Sequence, residues 1–172
     1  MLRLKTKTPL YLGAGVLICL LVAQCFASLL RPQLILNYTA SMPIGIYKIV
    51  PVRTWRHGMV VVMNPSRPDR KLLSERGWLM KQGLLIKPVG ALPGDEVCIN
   101  NETVTVNGIE RGSVFAKDTQ GRPLPVLRGC FAIASGHLFP LSTHSAHSFD
   151  GRYFGSMAMA QVLGEAQPLW MF

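Results

Sequence analysis

Hydrophobic and polar positions follow two regimes along the chain. From Thr8 to Leu30 no residue is charged; Arg3, Lys5 and Lys7 precede this run and Arg31 follows it. A bilayer core of about 30 Å is crossed by roughly 20 apolar residues in a helix, so residues 1–30 are read as a cytoplasmic amino terminus and a single transmembrane helix. A cleaved leader has a shorter apolar core and a small-residue cut site. "QCFASLLRP" offers a poor one, and the expectation is an uncleaved signal anchor. With the basic residues concentrated before the span, the amino terminus should face the cytoplasm and residues 31–172 the periplasm of a bacterium, with the anchor in the inner membrane.

Beyond Pro32 the period changes to short apolar or alternating runs closed by Gly, Pro or Asn. Strands are predicted at 58–64, 83–90, 95–100, 103–108, 130–135 and 157–164. Asn107-Gly108 is a hairpin signal. Only "PDRKLLSERG", 68–77, reads as a helix, with Asp69 as its cap and Gly77 as its stop. Residues 112–129 read as an exposed loop. The predicted fold is mainly β: a folded or barrel-like antiparallel sheet with one short helix, preceded by the transmembrane helix. The apolar end "PLWMF" either packs on the core or enters the membrane interface, and its pattern leaves both open.

Charge and cysteine content change this picture only a little. The net charge of +9 suits contact with anionic membrane lipid or simple solubility. No basic stripe carries interleaved aromatics, so a nucleic-acid partner is not expected. Cys98 and Cys130 are the two cysteines of the outer domain, where a disulfide is permitted; their spacing does not decide whether they pair.

Candidate chemistry starts at Ser41 in "NYTASMPIGIYKI", ten residues past Arg31. So short a tether, about 35 Å at full extension, keeps anything Ser41 attacks near the membrane. A serine hydroxyl needs a base. His144, His147 and Asp150 in "HSAHSFD" suggest a triad or a zinc cluster, but the segment is polar and serine-rich, and solvated loop histidines are the simpler reading. No metal or cofactor is expected. His57 and His137, each beside a glycine, read as turn residues. The other candidate base is Lys87 in "LLIKPVGALPGD". A lysine in apolar surroundings loses affinity for its proton, and a neutral amine is a competent base for serine. Lys81, in "WLMKQG", competes with it but sits in turn-like sequence.

Three segments carry a resemblance. "SMPIGIY" (41–47), "KPVGALPGDEV" (87–97) and "SFDGRYFG" (148–155) resemble, in order and spacing, the signal peptidase superfamily of membrane-anchored serine-lysine proteases. They are most similar to its TraF branch, the conjugative-transfer pilin maturation peptidases. The resemblance implies Ser41 as nucleophile and Lys87 as general base. It implies Thr39 as a hydroxyl assisting the Ser41 N–H at the oxyanion, Ser148 as the residue orienting the lysine, and Asp150 with Arg152 as a bracing ion pair, the aspartate also bearing on activity. It further implies a pilin precursor as substrate, cut beside a small residue and in some relatives closed into a ring, and conjugation-machinery proteins as partners. "LSTHSAHS" replaces the "GDNRDNS" of housekeeping leader peptidases, and no large second domain is inserted; both favour a dedicated enzyme. A housekeeping leader peptidase and a non-catalytic scaffold of the secretion channel are the alternatives.

Overall fold

The structure is a computed structural model that describes residues 8–29 and 34–172, with side chains of the first helix described for residues 13–22 and 24. The basic residues expected to flank the span, Arg3, Lys5, Lys7 and Arg31, lie outside the described residues, as does the Cys25 side chain. The chain divides between Gln33 and Leu34. Helix α1, Thr8–Leu29, is 22 residues long, which at 1.5 Å per residue is about 33 Å. Among the described residues no helix is long and apolar enough to cross a membrane.

The second unit is built of antiparallel strands in two sheets. The larger holds seven, in the order β1 (Leu34–Asn37), β2 (Gly45–Val50), β11 (Val162–Met171), β3 (Val60–Met63), β4 (Leu85–Ala91), β9 (His137–Pro140) and β10 (Met157–Ala158). The smaller holds β7 (Ile109–Ser113), β6 (Thr103–Val106), β5 (Glu96–Ile99) and β8 (Gly129–Ala132). The mainly β, antiparallel expectation is therefore met. Strand β4 explains the apolar run around Lys87. It is central in the large sheet, paired with β3 through Val61–Lys87 and with β9 through Val89–Pro140. Both its faces are covered: Leu85 and Val89 pack with Val61, Leu138, Phe149 and Tyr153, while Ile86 packs with Met42, Tyr47 and Val62. A strand covered on both sides has no reason to alternate with polar residues, so its one lysine is exceptional.

The helices correct several expectations. α2 spans Arg67–Glu75, and its cap is Ser66, not Asp69. Pro68 fits the first turn, where its missing N–H is not needed. Asp69 sits inside that turn: its N–H donates to Ser66 Oγ at 3.3 Å, and its carboxylate takes the Ser66 hydroxyl in return. Gly77 (φ +71°) follows as the expected stop. A second short helix of this unit, α3 (Gly151–Phe154), is capped by Asp150; four residues are too few to show a period. The run 157–164 is not one strand, since a 3-10 turn at Met159–Gln161 divides β10 from β11.

At the chain end, β11 continues to Met171 as a paired strand, yet Leu169, Trp170 and Phe172 stay exposed. "PLWMF" is thus held by backbone pairing rather than by core packing. Gly45 is required by this same contact: a Cβ there would stand 2.2 Å from the Trp170 carbonyl oxygen. Asn107 (φ +52°) and Gly108 (φ +76°) close the β6–β7 hairpin as a left-handed pair. Cys98 and Cys130 lie directly opposite on β5 and β8 and are joined by a disulfide.

Candidate active site

The turn carrying Ser41 is organised by Asn37, the last residue of β1 and only 5% exposed. Its amide nitrogen donates to the carbonyls of Thr39, Met42 and Pro43, each at 3.0 Å. Its oxygen accepts from Thr39 N–H at 3.2 Å and Thr39 Oγ1 at 3.0 Å. Tyr47 adds a bond from its hydroxyl to Pro43 O at 2.7 Å, and Met42 anchors the turn in the core beside Tyr47 and Ile86. The Ser41 hydroxyl lies 3.2 Å from Thr39 Oγ1. With the Thr39 proton directed at Asn37, Ser41 is the donor of that bond.

Lys87 is buried, 3% exposed, and its amine donates to Ser148 Oγ at 2.7 Å. Burial lowers its pKa to about 8, the Asp150 carboxylate pulling it up and the Arg152 guanidinium pushing it down. Ser41, Lys87, Thr39 and Ser148 all line one cavity of about 450 Å³, walled by Leu36, Leu73, Trp78, Ile86, Phe149 and Tyr153. The serine and the lysine face the same space, each held by a different hydroxyl.

Behind them, Arg152 (1% exposed) and Asp150 (0%) form a buried ion pair. Two guanidinium nitrogens bond the two carboxylate oxygens at 2.8 and 2.9 Å, the bidentate geometry that suits arginine. The guanidinium also donates to the carbonyls of Ser113 (2.6 Å), Ser148 (3.0 Å) and Ala146 (3.2 Å). One ion pair thus ties β7 and the segment before α3 to the seat of the lysine.

Two residues of this arrangement escape sequence reading. Ser142 gives its hydroxyl to Ser41 O at 2.5 Å and its N–H to Asp150 Oδ2 at 3.0 Å, linking the serine turn to the ion pair. Nothing in "LSTHSAHS" singles it out. Asn37 had a usable signal, because asparagine binds nearby backbone in turns. Replacing Asn37 with Ala orphans three backbone groups in a tight, partly buried turn, and each costs about 1 kcal/mol or more. The thermal midpoint of the detergent-solubilised protein should therefore fall by several degrees.

Of the other chemical candidates, His147 lines the same cavity as Ser41, where its ring stacks on Phe115 with centres 4.6 Å apart and makes no hydrogen bond to Ser41 or Lys87. Both Asp150 oxygens are taken by Arg152 and Ser142, so His144, His147 and Asp150 present no open ligand set. Glu96, Cys98 and Cys130 lie close together, but the two sulfurs are bonded to each other. His57 is not merely a turn residue, since it bonds Asp95 Oδ2 at 2.6 Å.

Residues 9–171 match the family described as signal peptidase, peptidase S26. The chain is 33% identical over 173 residues to the conjugal transfer protein TraF of Agrobacterium tumefaciens (strain 15955), covering 93% of each. It is 29% identical over 165 residues to a plasmid transfer protein TraF of Escherichia coli, covering 91% of this chain and 90% of that protein. A crystal structure of a signal peptidase I from Enterococcus faecalis V583 superposes with TM-score 0.41 at 18% identity, over 66% of this chain and 97% of the other.

Proposed function

The chain belongs to the signal peptidase family, peptidase S26, and on that premise we propose a membrane-anchored serine endopeptidase that processes a pilin precursor for conjugative transfer. The observation that carries this reading is the buried Lys87 amine, held by Ser148 and lining the same cavity as Ser41. In its neutral form the amine takes the Ser41 proton as Oγ attacks the scissile carbonyl. The Ser41 N–H receives the oxyanion, and Thr39 joins it when its hydroxyl turns away from Asn37. Protonated Lys87 then passes its proton to the departing amine, leaving an acyl ester on Ser41. Water, or the amino terminus of the same pilin chain, attacks that ester and gives up a proton to Lys87; the first outcome is a linear product and the second a ring.

The setting is consistent with a membrane substrate. Helix α1 carries no charged residue along Thr8–Leu29, and we assign it as the inner-membrane anchor with residues 31–172 in the periplasm. Supporting this, Leu36, Ile46 and Trp170 are cross-strand neighbours on the β1-β2-β11 edge. Leu36 and Trp170 are more than half exposed there, which suits contact with lipid. The TraF names of the relatives support a role beside other conjugation-machinery proteins.

The test is to incubate the full chain in lipid nanodiscs with a pilin precursor and follow product mass. The precursor should lose a terminal segment, and a cyclic product would be lighter than the linear one by one water. The rate should rise with pH to a plateau, half-maximal near the Lys87 pKa of about 8, because the deprotonated amine is the active form. The same shift has a stability sign. Folded Lys87 binds fewer protons than the unfolded chain between pH about 8 and 10.5, so stability rises with pH through that window. An uncut precursor at every pH would end the proposal.

A further inference from the structure

The turn around Ser41 is gripped from two sides. Asn37 binds the carbonyls of Thr39, Met42 and Pro43, while the carbonyl of Ser41 itself is taken from across the fold, by the Ser142 hydroxyl at 2.5 Å. That bond fixes the peptide plane on the carboxyl side of the nucleophile, and Asn37 fixes the chain at Thr39 before it. With its backbone pinned on both sides, Ser41 keeps one torsion, that of its side chain, which has three staggered wells. The 3.2 Å contact with Thr39 Oγ1 selects among them.

Ser142 is placed by the same parts that place the lysine. Leu141 N–H donates to Pro88 O at 3.0 Å, one residue along β4 from Lys87, and the Leu141 side chain lies in the core. Ser142 comes next and is 1% exposed. Its N–H donates to Asp150 Oδ2 at 3.0 Å, and its carbonyl accepts from Arg152 Nη2 at 3.5 Å. Its hydroxyl accepts the His144 N–H at 3.3 Å, which leaves the single hydroxyl proton for Ser41 O. The same guanidinium holds Ser148 O at 3.0 Å, and Ser148 holds the lysine amine at 2.7 Å. Two arms thus leave one buried ion pair: Asp150 reaches Ser41 through Ser142, and Arg152 reaches Lys87 through Ser148.

We propose that Ser142 is a positioning residue for the nucleophile, its hydroxyl setting the backbone of Ser41 and so the place of Oγ relative to the base. This deepens the reading of Ser41 and Lys87 as the reacting pair and rests on it. Ser142 touches neither substrate nor amine in this role. Its contribution is aim, and a misplacement of about 1 Å at reacting atoms can cost about 10²-fold in rate.

The experiment follows cleavage of a pilin precursor by the full chain in nanodiscs at one temperature, reading kcat, KM and the pH–rate profile separately. Ser142→Ala should lower kcat about 10- to 100-fold. KM and the midpoint of the profile should stay in place, because the amine is held by Ser148 and not by Ser142. Ser142→Thr and Ser142→Val give side chains of nearly one shape that differ in the hydroxyl, so Ser142→Thr should retain at least about tenfold more activity than Ser142→Val. Equal kcat in those two, wild-type kcat in Ser142→Ala, or a loss that falls on KM would overturn the positioning role. So would a Ser142→Ala chain that unfolds at the assay temperature, since the bond would then hold the fold and not the aim. Wild type that leaves the precursor uncut would instead overturn the reading of the reacting pair, and this role with it.

Discussion

Under the proposed function, Ser41→Ala and Lys87→Ala should each leave a pilin precursor at full length, with turnover reduced by about 10³-fold or more. Removing one member of a nucleophile–base unit costs nearly as much as removing both. The double variant should consequently be no slower than the worse single one. That non-additivity separates a working pair from two independently useful residues. Lys87→Arg adds a second discriminator. A guanidinium keeps its proton at any accessible pH, so it would hold a cation in place without serving as a base, and it too should be inactive. Ser148→Ala keeps nucleophile and base but frees the amine from its 2.7 Å partner. It should lose activity less steeply, about 10- to 100-fold, by loosening aim. Precursor size on a gel and product mass read all five variants, with thermal midpoints as the control for folding. Processing that survives in Ser41→Ala would leave the chain a scaffold.

How much of this is legible in the sequence depends on the range over which each feature is encoded. Lys87 stands out because a central strand covered on both faces is a continuous apolar run, and a lysine within it conflicts with its neighbours. Strand β3 is visible for the same local reason, β5 and β6 are visible through their alternation, and Asn107-Gly108 closes a hairpin by its own backbone preferences. β1, four residues long, pairs with the nearby β2 but is too short to show a period. β9, also four residues, takes its pairing from β4, about fifty residues earlier, so no window of sequence contains the cause. The same holds for the 3-10 turn at Met159–Gln161, where Gln161 reaches across to Asn64 O at 3.2 Å. Asp69 was the attractive cap for α2, yet Ser66 holds the position, because a helix starts where the first free N–H finds an acceptor. Ser142 is the clearest case of a hidden role: its two bonds join residues about a hundred positions apart in one direction and eight in the other.

Asp150 and Arg152 should give the largest loss of stability in the molecule. Both are buried, and the guanidinium satisfies one carboxylate and several carbonyls at once. Removing one partner strands the other's charge away from water at a cost of about 3–5 kcal/mol, so Arg152→Met should lower the thermal midpoint by on the order of 10 °C. Pairing it with Asp150→Leu should restore part of that loss, since the double variant buries no orphan charge. The pair also acts on catalysis through its field at Lys87, where Asp150 raises the amine's pKa and Arg152 lowers it. In Asp150→Asn the guanidinium remains unopposed, and the midpoint of the pH–rate profile should move to lower pH. In Arg152→Gln it should move to higher pH. A brace that only held the fold would lower the plateau of both profiles without displacing their midpoints in opposite directions, so the sign of the displacement decides whether this ion pair tunes the base or merely supports it.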